Sequence, residues 1–251
     1  RVATIKKFVD KMIVFFPFEV DFYKLHGLDV DFVGHPLLET VKPTQDKRTF
    51  LHDIGLNPSQ PTIALLPGSR RSEITNILPV MLDAALLMQK QTPGLQFIIA
   101  QAPNIDEYVY EDILKKKGMT LLMEKGRAYD CINASDLALV ASGTATLEAA
   151  ILGKPLVVIY KMSLLNYLLY KPQVRVPYIG MVNIVAGKKV VPECIQFKAT
   201  GKNIAHEALS ILHNTQEYDR VLKELSSMKA SLGQPGAPLR AAQIIAKFLS
   251  R

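Results

Sequence analysis

Short apolar runs alternate with amphipathic stretches along most of the chain. The runs are TIALLP (62–67), LQFIIA (95–100), MTLLME (119–124), DLALVAS (136–142) and KPLVVIY (154–160). Between them, apolar positions recur at helical spacing over 73–91, 106–118, 127–133 and 144–153. Strands without polar alternation that are separated by helices indicate a parallel sheet covered on both faces. The pattern therefore predicts an α/β fold, with a doubly wound parallel sheet of Rossmann type over residues 61–200.

The segments on either side of this domain follow other patterns. KMIVFFPF (11–18) has the length of a strand, FEVDFYKLHG (18–27) suggests a short helix, and LDVDFVGHP (28–36) alternates like a second strand. Prolines and turn formers over 40–60 predict a linker that carries one short helix. Residues 201–251 are expected to be mostly helical. The chain thus divides into segments 1–39, 40–60, 61–200 and 201–251.

Composition and charge exclude several classes of function. Of 251 residues, 49% are hydrophobic and 21% are charged, as in ordinary globular proteins. The net charge is +7, but the basic residues are spread out and form no groove-reading helix, so we expect no nucleic-acid partner. No apolar run reaches the roughly 18 residues of a membrane-spanning helix. Cys131 and Cys194 belong to no ligand spacing, so we expect two reduced thiols, no metal site and no cofactor.

The turn after the first strand of the predicted domain reads Gly68-Ser69-Arg70-Arg71 and leads into a helix. Glycine lets the backbone approach a ligand, and free amides at a helix start bind phosphate together with a guanidinium. The spacing differs from that of a P-loop. Two interpretations stay open, namely an anion site and a helix N-cap with exposed arginines.

A second turn of this kind, Ser142-Gly143-Thr144, is followed by a helix that carries Thr146 and Glu148. Hydroxyls and amides at a helix start suit a pyrophosphate, and a carboxylate one turn later can accept hydrogen bonds from ribose hydroxyls. The alternative is that Thr144 caps the helix and Glu148 complements its dipole. Two such turns on one sheet favour a nucleotide site.

Three further residues have weaker signals. Asn183 lies in the loop VNIVAGKKVVPE (182–193), and Glu193 is expected to open the last helical region. His35 stands at a strand end, where it could contact substrate or make a structural hydrogen bond. Spacing alone assigns a role to none of them.

Taken together, these residues resemble lipid-A-disaccharide synthase, an inverting glycosyltransferase of the GT-B type (glycosyltransferase family 19). The matching stretches occur in the order of that family and cover nearly the whole chain: DKMIVFFPFE (10–19), FVGHPLLE (32–39), LLPGSRRSEI (65–74), ASGTATLEAAILGKPLVV (141–158) and VNIVAGKKVVPE (182–193).

The resemblance implies a reaction and its partners. The family joins UDP-2,3-diacylglucosamine to 2,3-diacylglucosamine 1-phosphate through a β-1,6 linkage, releases UDP and needs no metal. By motif, Arg70 would stabilise the UDP phosphates, Glu148 would hold the ribose and Asn183 would line the donor site. The hydroxyls and amides around the pyrophosphate would come from Gly68, Ser69, Ser142, Gly143, Thr144 and Thr146. A cytoplasmic enzyme at the periphery of the inner membrane is implied, and a homodimer stays open.

In one respect the sequence departs from the pattern of that family. The chain begins with Arg1, and most of the family's N-terminal half, which carries the acceptor site and the proposed acidic base, is expected to precede it. Segment 1–39 would be the remnant of that truncated Rossmann-like domain. We therefore expect the chain alone to bind donor only. The base is unknown, and neither Glu193 nor His35 is assigned to it.

Two alternatives and one membrane hypothesis remain. Another UDP-sugar enzyme, such as a 2-epimerase or a peptidoglycan-type glycosyltransferase, has a similar scaffold, and a non-catalytic nucleotide- or membrane-binding module is the alternative from another class. The stretch KMSLLNYLLYKPQVRVPYIG (161–180) combines Leu and Tyr with basic residues. It suggests either an anionic membrane surface as partner or a buried helix with basic ends.

Overall fold

The computed structural model describes residues 2–163, 167 and 176–250. Most of the segment 161–180, including Lys171 and Arg175, lies outside the described residues. The chain forms two compact units. The smaller unit contains the residues up to Lys42 and those from Ser226 onward, and the larger unit is Pro43–Leu225.

The smaller unit begins with three short helices and a two-stranded parallel sheet. In chain order these are α1 (Val2–Phe8), β1 (Ile13–Val14), α2 (Pro17–Leu25), β2 (Asp31–Phe32) and α3 (Leu37–Thr40). Ile13 pairs with Asp31, and Val14 pairs with Phe32. The strands predicted over 11–18 and 28–36 are thus much shorter than expected. One reason is Pro17, which stands at the first position of α2, where its fixed φ favours a helix.

The larger unit contains, among the described residues, a parallel sheet of six strands, which confirms the predicted fold class. The strands are β3 (Thr62–Leu66), β4 (Gln96–Gln101), β5 (Leu122–Lys125), β6 (Leu137–Ala141), β7 (Leu156–Tyr160) and β8 (Glu193–Ile195). Their order is β5-β4-β3-β6-β7-β8. The strands that follow β3 add toward one side of the sheet, and those that follow β6 add toward the other. The gap between β3 and β6 is therefore the topological switch point, where ligands bind in open α/β sheets.

Helices alternate with the strands from β3 to β7 as predicted. Among the described residues, the α-helices of the larger unit are α4 (Lys47–Asp53), which precedes β3, α5 (Arg71–Gln91), α6 (Glu107–Lys117), α7 (Ala128–Ala134), α8 (Thr144–Ile151), α9 (Met181–Ala186) and α10 (Gly201–Leu212). The helix α11 (Thr215–Ser231) contains the boundary between the units, and α12 (Ala237–Leu249) belongs to the smaller one. The helical character predicted beyond residue 201 is confirmed.

The core lies on the central strands. All five residues of β3 and all five of β6 are buried, as expected for strands covered on both faces. Ile63 and Leu65 of β3 belong to a cluster with Ile77, Leu78 and Met81 of α5. Burying each such side chain stabilises the fold by about 1.5–3 kcal/mol. This packing fixes the ends of β3 and β6, from which the two candidate turns project.

One sequence expectation is wrong. Glu193 does not open a helical region but begins the edge strand β8, which pairs with β7 through Val158 and Glu193. The strand has only three residues, ECI, so it shows no periodicity that a sequence pattern could detect.

Candidate functional site

The two candidate turns extend from neighbouring strands. Leu66, the last residue of β3, is in register with Val140 of β6. The turn 67–70 follows the first strand and the turn 142–143 follows the second, and both strands run in the same direction. Parallel strands bring the residues that follow them to one edge of the sheet. The structure therefore places Gly68-Ser69-Arg70 and Ser142-Gly143-Thr144 side by side, beyond the carboxyl-terminal ends of β3 and β6 at the switch point.

The first turn is organised around Glu73 in the first turn of α5. The Oε2 atom of Glu73 accepts hydrogen bonds from the backbone amides of Ser69, at 3.0 Å, and Arg70, at 3.3 Å. The Nη1 atom of Arg70 donates to Oε1 of Glu73 at 2.9 Å, and the Arg70 side chain is 79% exposed. Glu73 thus makes the carboxylate half of a capping box, because it accepts the amide of the N-cap residue Arg70, so the N-cap interpretation is correct in geometry. An anion at this turn would meet the same donors.

Gly68 is required by this arrangement. Its φ is +116°, which side-chain-bearing residues rarely adopt, and an added Cβ would lie 2.7 Å from the Cβ of Glu73. The absence of a side chain at Gly68 thus lets Glu73 reach the amides of the turn.

In the second turn the backbone is accessible to a ligand, whereas the side chains of Ser142 and Thr146 make hydrogen bonds within the protein. Gly143 and Thr144 are exposed. The Ser142 hydroxyl donates to the carbonyl of Ile179 at 2.9 Å. The Thr146 hydroxyl donates to the carbonyl of Gly143 at 2.8 Å and accepts from the amide of Met181 at 3.1 Å. Gly143, not Thr144, is the N-cap of α8. Ser142 and Thr146 therefore hold the turn against the loop before α9.

Glu148 lies one turn into α8 and is half-buried. Its Oε1 atom is 3.5 Å from the hydroxyl of Tyr129 on α7. Burial raises the pKa of Glu148, although the Tyr129 hydroxyl opposes the shift. Burial and the Glu148 charge together raise the pKa of Tyr129. Tyr129 belongs to no sequence motif, so no sequence signal points to it.

Asn183 is fully buried, and its side-chain amide is saturated by the protein. Its Oδ1 atom accepts from the amides of Val190, at 2.8 Å, and Val191, at 3.1 Å. Its Nδ2 atom donates to the carbonyl of Val191 and to Oε1 of Glu193, both at 2.9 Å. The structure thus places Asn183 in α9, whose first residue is bonded to Thr146, but leaves its side chain no surface for a ligand.

Glu193 and His35, the two residues considered for the base, are both held by backbone amides. Glu193 accepts hydrogen bonds from Ile179 and Gly180, at the start of α9. His35, in the smaller unit, is 8% exposed, and its Nδ1 atom accepts from the amide of Leu37 at 3.2 Å. Burial lowers the pKa of His35. The structural hydrogen bond is therefore the correct interpretation for His35.

The described residues contain no group of three or more His, Cys, Asp and Glu side chains arranged to hold a metal ion. Burial raises the pKa of Cys131 to about 12 and that of Cys194 to about 11, so both thiols are protonated near neutral pH. In the same part of the chain, no helix has both the length and the apolar character needed to cross a membrane.

Comparison with known proteins identifies relatives along the whole chain. Residues 1–248 match a family model described as lipid-A-disaccharide synthetase. The chain is 45% identical over 243 residues to lipid-A-disaccharide synthase of Syntrophus aciditrophicus, with 96% of this chain and 63% of the relative covered. It is 39% identical to the Myxococcus xanthus protein of that name, with 99% and 65% covered. The chain thus spans about two thirds of the length of these relatives.

Solved structures match the fold at low identity. An S. aureus MnaA–UDP complex gives a TM-score of 0.66 at 16% identity, with 99% of this chain and 62% of that chain covered. A putative UDP-N-acetylglucosamine 2-epimerase from Listeria monocytogenes gives 0.64 at 18% identity, with 96% and 59% covered. WaaG, a glycosyltransferase involved in lipopolysaccharide biosynthesis, gives 0.57 at 12% identity, with 94% and 62% covered. These likenesses show the fold alone, which is of the predicted GT-B type.

Proposed function

The chain belongs to the lipid-A-disaccharide synthetase family, and from this premise we propose that its larger unit binds the uridine diphosphate part of a nucleotide-sugar donor. The observation that carries the proposal is the register of β3 with β6, because it brings two helix starts and one guanidinium to the switch point of the sheet. Helix starts carry partial positive charge and unpaired amides, which favour phosphate.

Each site residue then has a role that follows from its exposure. Arg70 and the backbone of Gly68, Ser69, Gly143 and Thr144 would contact the diphosphate. Glu148 would accept hydrogen bonds from the ribose hydroxyls. The side chains of Ser142 and Thr146 would act indirectly, because their hydrogen bonds to Ile179 and Met181 hold the start of α9 against the second turn. The Asn183 side chain would also act indirectly, because it fixes the backbone at Val190 and Val191 after α9.

We further propose that the whole protein joins UDP-2,3-diacylglucosamine to 2,3-diacylglucosamine 1-phosphate in a β-1,6 linkage. The acceptor oxygen attacks the anomeric carbon and loses its proton to a base, the bond from that carbon to UDP breaks, and the configuration inverts. Negative charge grows on the departing UDP. Arg70 and the helix starts would stabilise this charge more in the transition state than in the ground state. We assign the base to none of the described residues.

Calorimetric titration with UDP tests the proposed site. The parent chain should bind UDP saturably, and Arg70→Ala and Glu148→Ala should each weaken binding by about 10- to 100-fold, because each removes a hydrogen bond to a charged group. Lys116→Ala is the matched control, since Lys116 is an exposed cation paired with Asp112 on α6. A folded parent chain that binds no UDP would contradict the proposal, as would equal losses in all three variants.

A further inference from the structure

Glu73 occupies the donors that the proposed function assigns to a phosphate. Its two carboxylate oxygens accept from the Ser69 amide, the Arg70 amide and the Arg70 guanidinium, at 2.9–3.3 Å. A carboxylate and a phosphate are both oxyanions and satisfy the same N–H groups. We propose that Glu73 is an internal competitor of the donor diphosphate, which lowers the affinity of the site for UDP and thereby speeds its release. This inference rests on the proposed function and deepens it.

The packing around the turn indicates that Glu73 and a diphosphate would compete for one position instead of binding side by side. Gly68 has no side chain, and any Cβ there would collide with Glu73, so the carboxylate lies directly over the backbone of the turn. The Glu73 side chain is 27% exposed, whereas that of Arg70 is 79% exposed. The guanidinium can therefore move to a ligand in solvent, while the carboxylate stays close to the turn.

The magnitudes favour an exchange that UDP can drive. An exposed ion pair such as Arg70–Glu73 changes an equilibrium by up to about fivefold. A hydrogen bond from a guanidinium to a phosphate is typically worth about 10- to 150-fold. The diphosphate can therefore replace Glu73 as the partner of the Arg70 guanidinium. The negative charge of Glu73 then remains next to a ligand that is also negatively charged. That repulsion lowers the affinity of the site for UDP, the product that must dissociate before the next donor binds.

The decisive variant is Glu73→Gln. A glutamine oxygen can still accept the two backbone hydrogen bonds and cap α5, but the charge and the ion pair are lost. We expect the variant to bind UDP about 3- to 10-fold more tightly at low ionic strength, with the gain shrinking as salt is added. Binding of uridine, which has no phosphate, should not change. A purely structural role for Glu73 would not produce tighter binding.

The control is Asp112→Asn, which removes one negative charge from the exposed Asp112–Lys116 pair on α6. It should leave the UDP affinity unchanged. If the parent chain binds UDP and Glu73→Gln binds it equally or more weakly, the competitor role is wrong and the proposed function stands. If neither binds UDP although circular dichroism shows both folded, the proposed function fails and the competitor role fails with it.

Discussion

The Nδ2 atom of Asn183 lies 2.9 Å from Oε1 of Glu193, and the two side chains together organise the loop between β7 and β8. Glu193 accepts hydrogen bonds from the amides of Ile179 and Gly180, which immediately precede α9. Asn183 binds the backbone at Val190 and Val191, beyond the end of that helix. The loop is further bonded to the second candidate turn through Ser142 and Thr146. Asn183, Glu193, Ser142 and Thr146 all lie in stretches that carry the family resemblance, so part of that resemblance reflects side chains that position backbone.

Replacing Asn183 by Ala should destabilise the larger unit. The change leaves the buried amides of Val190 and Val191 without their acceptor, and each unsatisfied buried donor costs about 1–3 kcal/mol. We expect the free energy of unfolding to fall by about 2–6 kcal/mol, as measured by urea denaturation. Asn104→Ala is the matched control, because Asn104 is exposed and makes a single bond of 3.3 Å to the Ser69 carbonyl. A variant of unchanged stability that no longer binds UDP would instead show that Asn183 contacts the ligand.

Glu148→Gln should raise stability and weaken UDP binding. Burial raises the pKa of Glu148 in the folded state, so its ionised form is disfavoured there. The stability it contributes is present below its unfolded pKa and is lost as pH rises through its folded pKa. The glutamine variant should therefore have the higher Tm at neutral pH, with the difference vanishing in acid. We expect UDP affinity to fall about tenfold, because a neutral acceptor replaces a charged one.

The pH dependence of binding provides a second test at Glu148. The affinity of the parent chain for UDP should fall as acid protonates Glu148, and this should begin at a higher pH than for an ordinary carboxyl, because its pKa is raised. The Gln variant lacks this titration, and the difference between the two profiles removes the contribution of the UDP phosphates. Parallel profiles would show that Glu148 is not in contact with the ligand.

Gly68→Ala tests the close approach of Glu73. Positive φ alone costs a side-chain-bearing residue about 1–2 kcal/mol, and at Gly68 the added Cβ would also meet Glu73. Gly118→Ala is the control, because Gly118 has a φ of +62° with no atom near its added Cβ. We expect thermal denaturation to show a clearly larger loss for Gly68→Ala than for Gly118→Ala. Equal losses would mean that Glu73 moves away freely and does not lie against the turn.

The sequence predicts the fold of the larger unit well because its central strands are buried on both faces. TIALL in β3 and LALVA in β6 contain almost no polar residue, and helical spacing between such runs is distinctive. The edge strand β8 was missed, because three residues with alternating burial give no period. In the smaller unit, the apolar run 11–18 predicts one long strand, but β1 ends at Val14 because Pro17 begins the helix α2.

The sequence predicts which turns meet at the candidate site but not which of their side chains are free. Glycines, hydroxyls and a guanidinium after parallel strands predict an anion site from the sequence alone. The sequence does not show that the Thr146 hydroxyl and the Asn183 amide are satisfied inside the protein. Their partners, Met181 at the start of α9 and Val191 in the loop after it, come within hydrogen-bonding distance only in the folded chain. Glu73 did have a signal, its place three residues after the N-cap, but a capping box by itself suggests only helix stability.

The membrane hypothesis concerns a segment that lies mostly outside the described part of the chain, including Lys171 and Arg175, so it remains a prediction from sequence. We propose that the segment 161–180 binds an anionic membrane surface through its apolar and basic residues. Exchanging both Lys171 and Arg175 for Glu should weaken co-sedimentation with phosphatidylglycerol-containing vesicles, because each basic residue near such a surface contributes about 1 kcal/mol. Lys115 and Lys116, on the surface of α6, provide a double exchange of equal charge as the control. Equal effects of the two pairs would remove any special role of the segment.

Arg240 connects distant parts of the sequence within the smaller unit. Its Nε atom donates to the carbonyl of Val33 at 2.9 Å and its Nη1 atom to that of Pro235 at 2.8 Å, while Glu39 accepts the amide of Ala237 at 2.9 Å. Arg240→Ala leaves these carbonyls without their charged donor, so we expect about 1–3 kcal/mol less protection of the amides in 33–41 from hydrogen exchange. Lys247→Ala, on the exposed surface of the same helix, is the control. Equal protection in both variants would mean that these polar contacts add no net stability, since they would then only replace contacts made with water.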